Sequence, residues 1–178
     1  MGKRVGEVTI ECVQGNIAEQ PDFDAVVNAA NAQLRTGGGV AGVIHGAAGP
    51  ELAKACRSLA PIRPGQAVIT AAFGLPNRHV IHCLGPVYGR DRPEEQLLAD
   101  CYRNALRVAE QNGLESIAFP AISTGAFGYP LEDAAAVALA TVVEEAKKLR
   151  RVRRIRFVLH SEPDLEAHEA TLERLAAG

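Results

Sequence analysis

Short runs rich in Val, Ile and Phe alternate with segments of helical period along this chain. That alternation constrains the fold more than any other feature. The apolar runs fall at 7–13, 24–28, 66–71, 79–84, 116–119 and 155–160, and several are nearly continuous in apolar character. Such runs suit central strands covered on both faces. Between them, helical patterns fall at 39–48, 50–60, 93–112, 130–149 and 163–177. The fourth opens on Pro130 with Glu132 and Asp133 and closes on Lys147 and Lys148, charges that complement a helix dipole. Strands alternating with helices predict an α/β/α sandwich. A length of 178 residues with 47% hydrophobic and 22% charged content suits one domain, 1–178, with a single sizeable core.

Bulk chemistry narrows the function. A net charge of −2 does not advertise nucleic acid or an anionic membrane as partner. The arginine-rich stretch from Arg150 to Arg156 interleaves with strand residues and reads as a solvated helix end and strand start. Cys12, Cys56, Cys83 and Cys101 are far apart in apolar contexts, without the C-x-x-C spacing of a zinc or redox site, and are expected to be reduced and buried. His82 and Cys83, adjacent in a strand, point to opposite faces and cannot share a metal. Met1 to Glu7 carries no apolar signal core, and no stretch approaches the ~20 apolar residues of a membrane helix. The expected location is the cytoplasm.

Two segments carry the chemistry. Val26-Val27-Asn28-Ala29-Ala30-Asn31 runs into Gly37-Gly38-Gly39-Val40 and then a helical pattern. Later, Ser116-Ile117-Ala118-Phe119-Pro120-Ala121-Ile122 runs into Ser123-Thr124-Gly125-Ala126-Phe127-Gly128 and a second helix. Glycines after a strand leave backbone N–H groups uncovered, and the following helix adds its positive end, so each unit can hold anionic oxygens without a lysine. No G-x-x-x-x-G-K-[ST] is present. Gly37, Gly39 and Gly42 match G-x-G-x-x-G. The region about 20 residues on, where a dinucleotide fold holds the ribose with an acid, reads Ser58 to Arg63 without one. Asn28 and Asn31 add primary amides, which donate and accept as a sugar diol requires; one is expected to anchor the turn and the other to face ligand. Two cradles, a diol reader and Phe127 together fit a nucleotide-sugar diphosphate.

These residues resemble the macrodomain family. Val27-Asn28-Ala29-Ala30-Asn31 with Gly37-Gly38-Gly39-Val40 is similar to its signature, and the segments 80–86 and 119–130 are similar to its later blocks, in the family's order. The resemblance implies a three-layer α/β/α fold around a mixed, mostly parallel sheet. It implies ADP-ribose as ligand and ADP-ribosylated protein as partner, with neither cofactor nor metal. It also implies hydrolysis of ADP-ribosyl groups on acidic side chains, of ADP-ribose 1″-phosphate or of O-acetyl-ADP-ribose; a non-catalytic ADP-ribose reader is the alternative. By position, Asn31 should hold the distal ribose. Gly38, Gly39 and Val40 should flank ribose and diphosphate. Ser123, Thr124, Gly125, Ala126 and Phe127 should form the diphosphate loop, with Phe127 against the ribose. Asn31 and Phe127 are the expected catalytic pair, and His160 falls where relatives place an aromatic beside adenine. Two departures stand out. Gly15-Asn16-Ile17 replaces the family's Gly-Asp-Ile, so Asn16 would accept from the adenine amino group without charge, beside Ile17. In one hydrolase subgroup Gly-Val is followed by Asp, whereas here Val40 is followed by Ala41. His45, one turn past Ala41, is more in keeping with a core position than a catalytic one.

Overall fold

In the computed structural model, which describes residues 2–177, a seven-stranded sheet has the order β1-β2-β7-β6-β3-β5-β4. The strands are β1 (Gly2–Val5), β2 (Val8–Gln14), β3 (Ala25–Ala29), β4 (Ala67–Ala71), β5 (His79–Cys83), β6 (Ser116–Phe119) and β7 (Arg154–Leu159). β2, β7, β6, β3 and β5 are parallel neighbours, and antiparallel β1 and β4 form the two edges. The mixed, mostly parallel expectation holds. β1 is an addition: its Lys3 and Arg4 hide the strand signal, because a short charged strand suits an edge.

The helices are α1 (Gly39–Ala48), α2 (Pro50–Cys56), α3 (Glu94–Gln111), α4 (Leu131–Ala146) and α5 (Glu162–Ala177). α2 stops at Cys56 rather than running to residue 60. The N–H groups of Leu59 and Ala60 both fold back onto the Cys56 carbonyl, and Pro61 follows. Two apolar clusters sandwich the sheet. One joins Ile10, Val27, Ile81, Phe119 and Phe157 to α3, α4 and α5. The other joins Val26, Val80, Ala118 and Val158 to Ile44 and Leu52 of α1 and α2, and to Phe23. Successive strand residues alternate between the clusters, as a pleated strand between two layers requires.

The arginine stretch is consumed by the fold. Arg156 pairs with Glu11, which faces it across the β2–β7 register, at 2.8 Å; Arg154 reaches Asp22 at 3.1 Å, and both guanidinium groups lie over the Phe23 ring. The backbone N–H groups of Arg150, Arg151 and Val152 all donate to the Glu110 carboxylate. The run is a structural clamp between α3, β2 and β7.

The chain leaves β3 toward α1 on one face and leaves the adjacent β6 toward α4 on the other. In such sheets a crevice opens outside the carboxyl ends of the strands where the crossovers diverge. Here it opens at the ends of β3, β6, β7 and β2.

Candidate functional site

That crevice is a cleft of about 540 Å³, within the usual size of a small-molecule site. Its walls come from four chain segments. The β2 exit supplies Gly15, Asn16 and Ile17; α1 supplies Gly39, Val40 and Val43; the β6 exit supplies Pro120, Ala121, Thr124 and Gly125; the end of β7 supplies Val158, Leu159 and His160. No Lys, Arg, Asp or Glu lines it.

Its electrostatics therefore come from backbone. α2, α3, α4 and α5 each carry acidic residues in the first turn, whereas α1 has none and no side-chain cap. The positive pole of α1 is left uncompensated at the mouth of the cleft. Gly39 has φ 55°, and a Cβ at Gly38 or Gly39 would meet nothing within 4 Å, so the space above this turn is open to a ligand. Gly42 is required for a different reason. A Cβ there would collide with the carbonyl oxygen of Gly37, so the glycine loop folds back tightly over the first helical turn.

The second loop is locked from behind. Ser123 has φ 68°, a left-handed conformation that is uncommon for a side-chain-bearing residue. Its hydroxyl donates to the Pro86 carbonyl at 2.8 Å, in a space that only a glycine at 85 leaves free. The Thr124 hydroxyl donates to the Ala121 carbonyl. The Tyr102 hydroxyl, buried in α3, donates to the Pro120 carbonyl and accepts from the Ile122 N–H. Tyr129 N–H closes the loop onto the Ser123 carbonyl, and Tyr88 N–H holds the Phe127 carbonyl. Both loop hydroxyls expected near a ligand are thus spent on the scaffold, which leaves backbone N–H groups as the loop's donors.

The expected site residues separate into two groups. Asn16, Ile17, Gly39, Val40, Thr124, Gly125 and His160 line the cleft. Asn31, Gly38, Ser123, Ala126 and Phe127 lie beside it; Phe127 is half-buried and packs, like Val40, on the α1–α2 cluster. Asn16 differs from expectation in orientation. Its Oδ1 already accepts the Ala18 N–H at 2.9 Å, and its backbone carbonyl is held by Gln20, which Arg156 holds in turn. Of the two loop asparagines, Asn28 is the anchor: it is buried, with its Nδ2 3.0 Å from Nδ1 of His82. Asn31 closes its own turn through both ends of the amide, donating to the Arg35 carbonyl and accepting the Arg35 N–H. One N–H and one lone pair remain free on that amide, the combination a vicinal diol needs. His160 is 86% exposed and stands 3.3 Å from Asp164.

Beneath α1 lies a cluster of buried polar side chains. His82 is also 3.0 Å from the Thr70 hydroxyl and 3.8 Å from the Cys56 thiol. Burial, with His45 nearby, pushes its pKa down to about 3. His45 is buried, and neither ring nitrogen finds a partner. Among the described residues no cluster of His, Cys, Asp and Glu is arranged for a metal ion.

A family model described as "Macro domain" matches residues 27–138, the stretch holding both glycine loops and the strands between them. The chain belongs to the Macro domain family. A macro domain-containing protein of Chlorobaculum tepidum is 48% identical over 96% of this chain and 98% of its own length. A protein of Klebsiella pneumoniae named O-acetyl-ADP-ribose deacetylase is 48% identical over 85% of this chain and 89% of its own. Among solved structures, a mutant of the Oceanobacillus iheyensis macrodomain with ADPR superposes with a TM-score of 0.95 at 38% identity, covering 100% of this chain and 99% of that one. The α/β layering of this macro domain is that of its structural neighbours.

Val43, Val158 and Leu159 also line the cleft without having been singled out from the sequence, as do Gly15, Pro120 and Ala121, which stand in its motifs but were given no role there. Val43 had a signal: it stands one helical turn from Val40, on the same face, and is 43% exposed. The others are apolar residues at strand exits, which nothing local distinguishes from core.

Proposed function

We propose that this macro domain binds ADP-ribose in the cleft and hydrolyses ADP-ribosyl derivatives, with O-acetyl-ADP-ribose a substrate. The observation that carries this reading is the uncompensated N-terminus of α1 facing a second glycine loop across one cleft without a charged side chain. Backbone N–H groups from both sides would clamp a diphosphate. The apolar wall of Ile17, Val43 and Val158 would receive the adenine, with His160 at its edge. Asn31 would fix the distal ribose by its remaining donor and acceptor, with Phe127 limiting the movement of the ring. The Klebsiella protein's name and the ADPR-bound neighbour support the same ligand class.

Hydrolysis needs water delivered to an ester on the distal ribose and a held developing charge. At position 41 this chain has a buried alanine, so no carboxylate stands there as base. We assign water orientation to the substrate's own diphosphate, held by the two loops, with Asn31 keeping the ribose in line. The reader alternative is favoured by that same Ala41. Calorimetry with ADP-ribose, beside turnover of O-acetyl-ADP-ribose, ADP-ribose 1″-phosphate and mono-ADP-ribosylated protein, separates the two. Binding with release of free ADP-ribose, both strongly reduced in Asn31→Ala, is expected. Binding without turnover of any substrate leaves a reader. No binding at millimolar ADP-ribose overturns both.

A further inference from the structure

A second cavity of about 550 Å³ lies behind the ribose loop, between residues 33–36 and α2. Its chemistry is unlike that of the main cleft. Arg35 and Arg57 both line it, together with Gln33 and Thr36, over a floor that includes Leu34 and Ala53. No carboxylate lines it. Among the described residues neither arginine takes part in a salt bridge, and both are exposed. Glu51, an acid of α2, is paired with Lys54 at 3.2 Å. Two arginines with no carboxylate partner among the described residues therefore line one hollow on a chain whose net charge is −2.

The position of the hollow gives it meaning. The main chain of Arg35 holds the Asn31 amide through two hydrogen bonds of 2.8 and 3.0 Å. A group attached to a ribose held at Asn31 would therefore stand beside this turn. We propose that this cavity seats the acceptor polypeptide of an ADP-ribosylated protein and selects acidic side chains flanking the modified residue. The proposal rests on the ADP-ribose reading of the main cleft. A further ADP-ribose unit would bring anionic charge too, but it would also bring a base and a diphosphate. The hollow offers no aromatic ring for stacking and no glycine to open a backbone cradle. Guanidinium groups on two separate elements suit two separate carboxylates.

The test uses the whole chain and two mono-ADP-ribosylated peptides, one with Asp and Glu flanking the modified residue and one with neutral flanks. Exposed ion pairs contribute up to about fivefold each, so the acidic peptide should bind about tenfold tighter. That preference should shrink on raising salt from about 50 mM to about 500 mM. Arg57→Gln should cut the preference to about threefold while free ADP-ribose affinity stays within about twofold, which also reports that the variant is folded. Adding Arg35→Gln should abolish the preference. Equal affinity of the wild type for the two peptides, or a preference that survives both substitutions, overturns the proposal while free ADP-ribose still binds. So does loss of ADP-ribose-polymer binding in the double variant with peptide affinities unchanged. If the wild type binds no free ADP-ribose, the assignment of the main cleft fails first.

Discussion

Single atoms decide the shape of the first glycine loop. Gly42 packs against the carbonyl of Gly37, and even one methyl group has no room there. We expect Gly42→Ala to open the glycine loop, weakening ADP-ribose binding by at least about tenfold while costing about 1–3 kcal/mol of stability. Titration calorimetry and thermal melts check the two effects separately; unchanged affinity would mean that the loop's fold does not position the ligand. Ser123 shows the complementary case. Its signature position suggested a ligand contact, but its hydroxyl is turned inward to Pro86 and holds the loop's left-handed backbone in place. A sequence displays which groups are present, not which neighbour claims them first.

At the scale of elements, the α3–β7 junction is held by one carboxylate. Glu110, near the end of α3, receives the N–H groups of residues 150–152 as the chain enters β7. Partial burial works against the charge, but these three hydrogen bonds and Arg153 outweigh it and hold the carboxyl below its ordinary pKa. A depressed carboxyl pKa means that the unfolded chain takes up the proton first, so this contribution is complete above the ordinary value and is lost as pH falls through the folded one. Glu110→Ala should cost about 1–2 kcal/mol at neutral pH. It should also flatten the acid side of the stability curve below about pH 4.5. Urea melts across that range are the check, and an unaltered slope would count against the clamp. The boundaries of α1 and β6 and the start of α4 lay close to their sequence signals, since glycines and prolines mark them, whereas α4 ends at Ala146 rather than 149, where no such residue stands. β1 did not, because its polar edge residues carry no periodic apolar signal.

Across the whole molecule, the buried histidines set the pH response. Burial lowers the pKa of His45; burial and the neighbouring His45 lower that of His82. Burial also lowers His168, against an opposing pull from Asp164. For a base held neutral in the fold, the unfolded chain binds the proton first. Stability is therefore full above the unfolded value of about 6.5 and falls as pH drops below it. We expect the melting temperature to decline from pH 7 to pH 5, before most carboxylates titrate. Each such histidine contributes a slope of up to about 1.4 kcal/mol per pH unit. His168→Leu, which keeps an apolar body against Phe157, should reduce that slope. A melting temperature flat over this interval would show that these rings are not held neutral. The four cysteines are free and buried, and burial raises each thiol, with Cys12 and Cys101 pushed up to about 12.

The sequence by itself determined the layers and the two glycine loops. Apolar period and glycine placement are local properties, and the chain carries both in full. It also placed Asn16, Ile17, Gly39, Val40, Thr124, Gly125 and His160, which line one cleft in the fold. Tertiary structure alone decided how their polar groups are used. Only the folded chain turns the Ser123 and Thr124 hydroxyls to carbonyls at 86 and 121, spends half of the Asn31 amide on Arg35, and makes Asn28 rather than Asn31 the buried anchor. It also brings Arg35 and Arg57, twenty-two positions apart in number, to one hollow. The sheet order brings Asn28 to His82 and the loops bring Ser123 to Pro86, whereas Asn31–Arg35 and Thr124–Ala121 are closed by the conformation of their own turns; in each case geometry and not residue type chooses the partner.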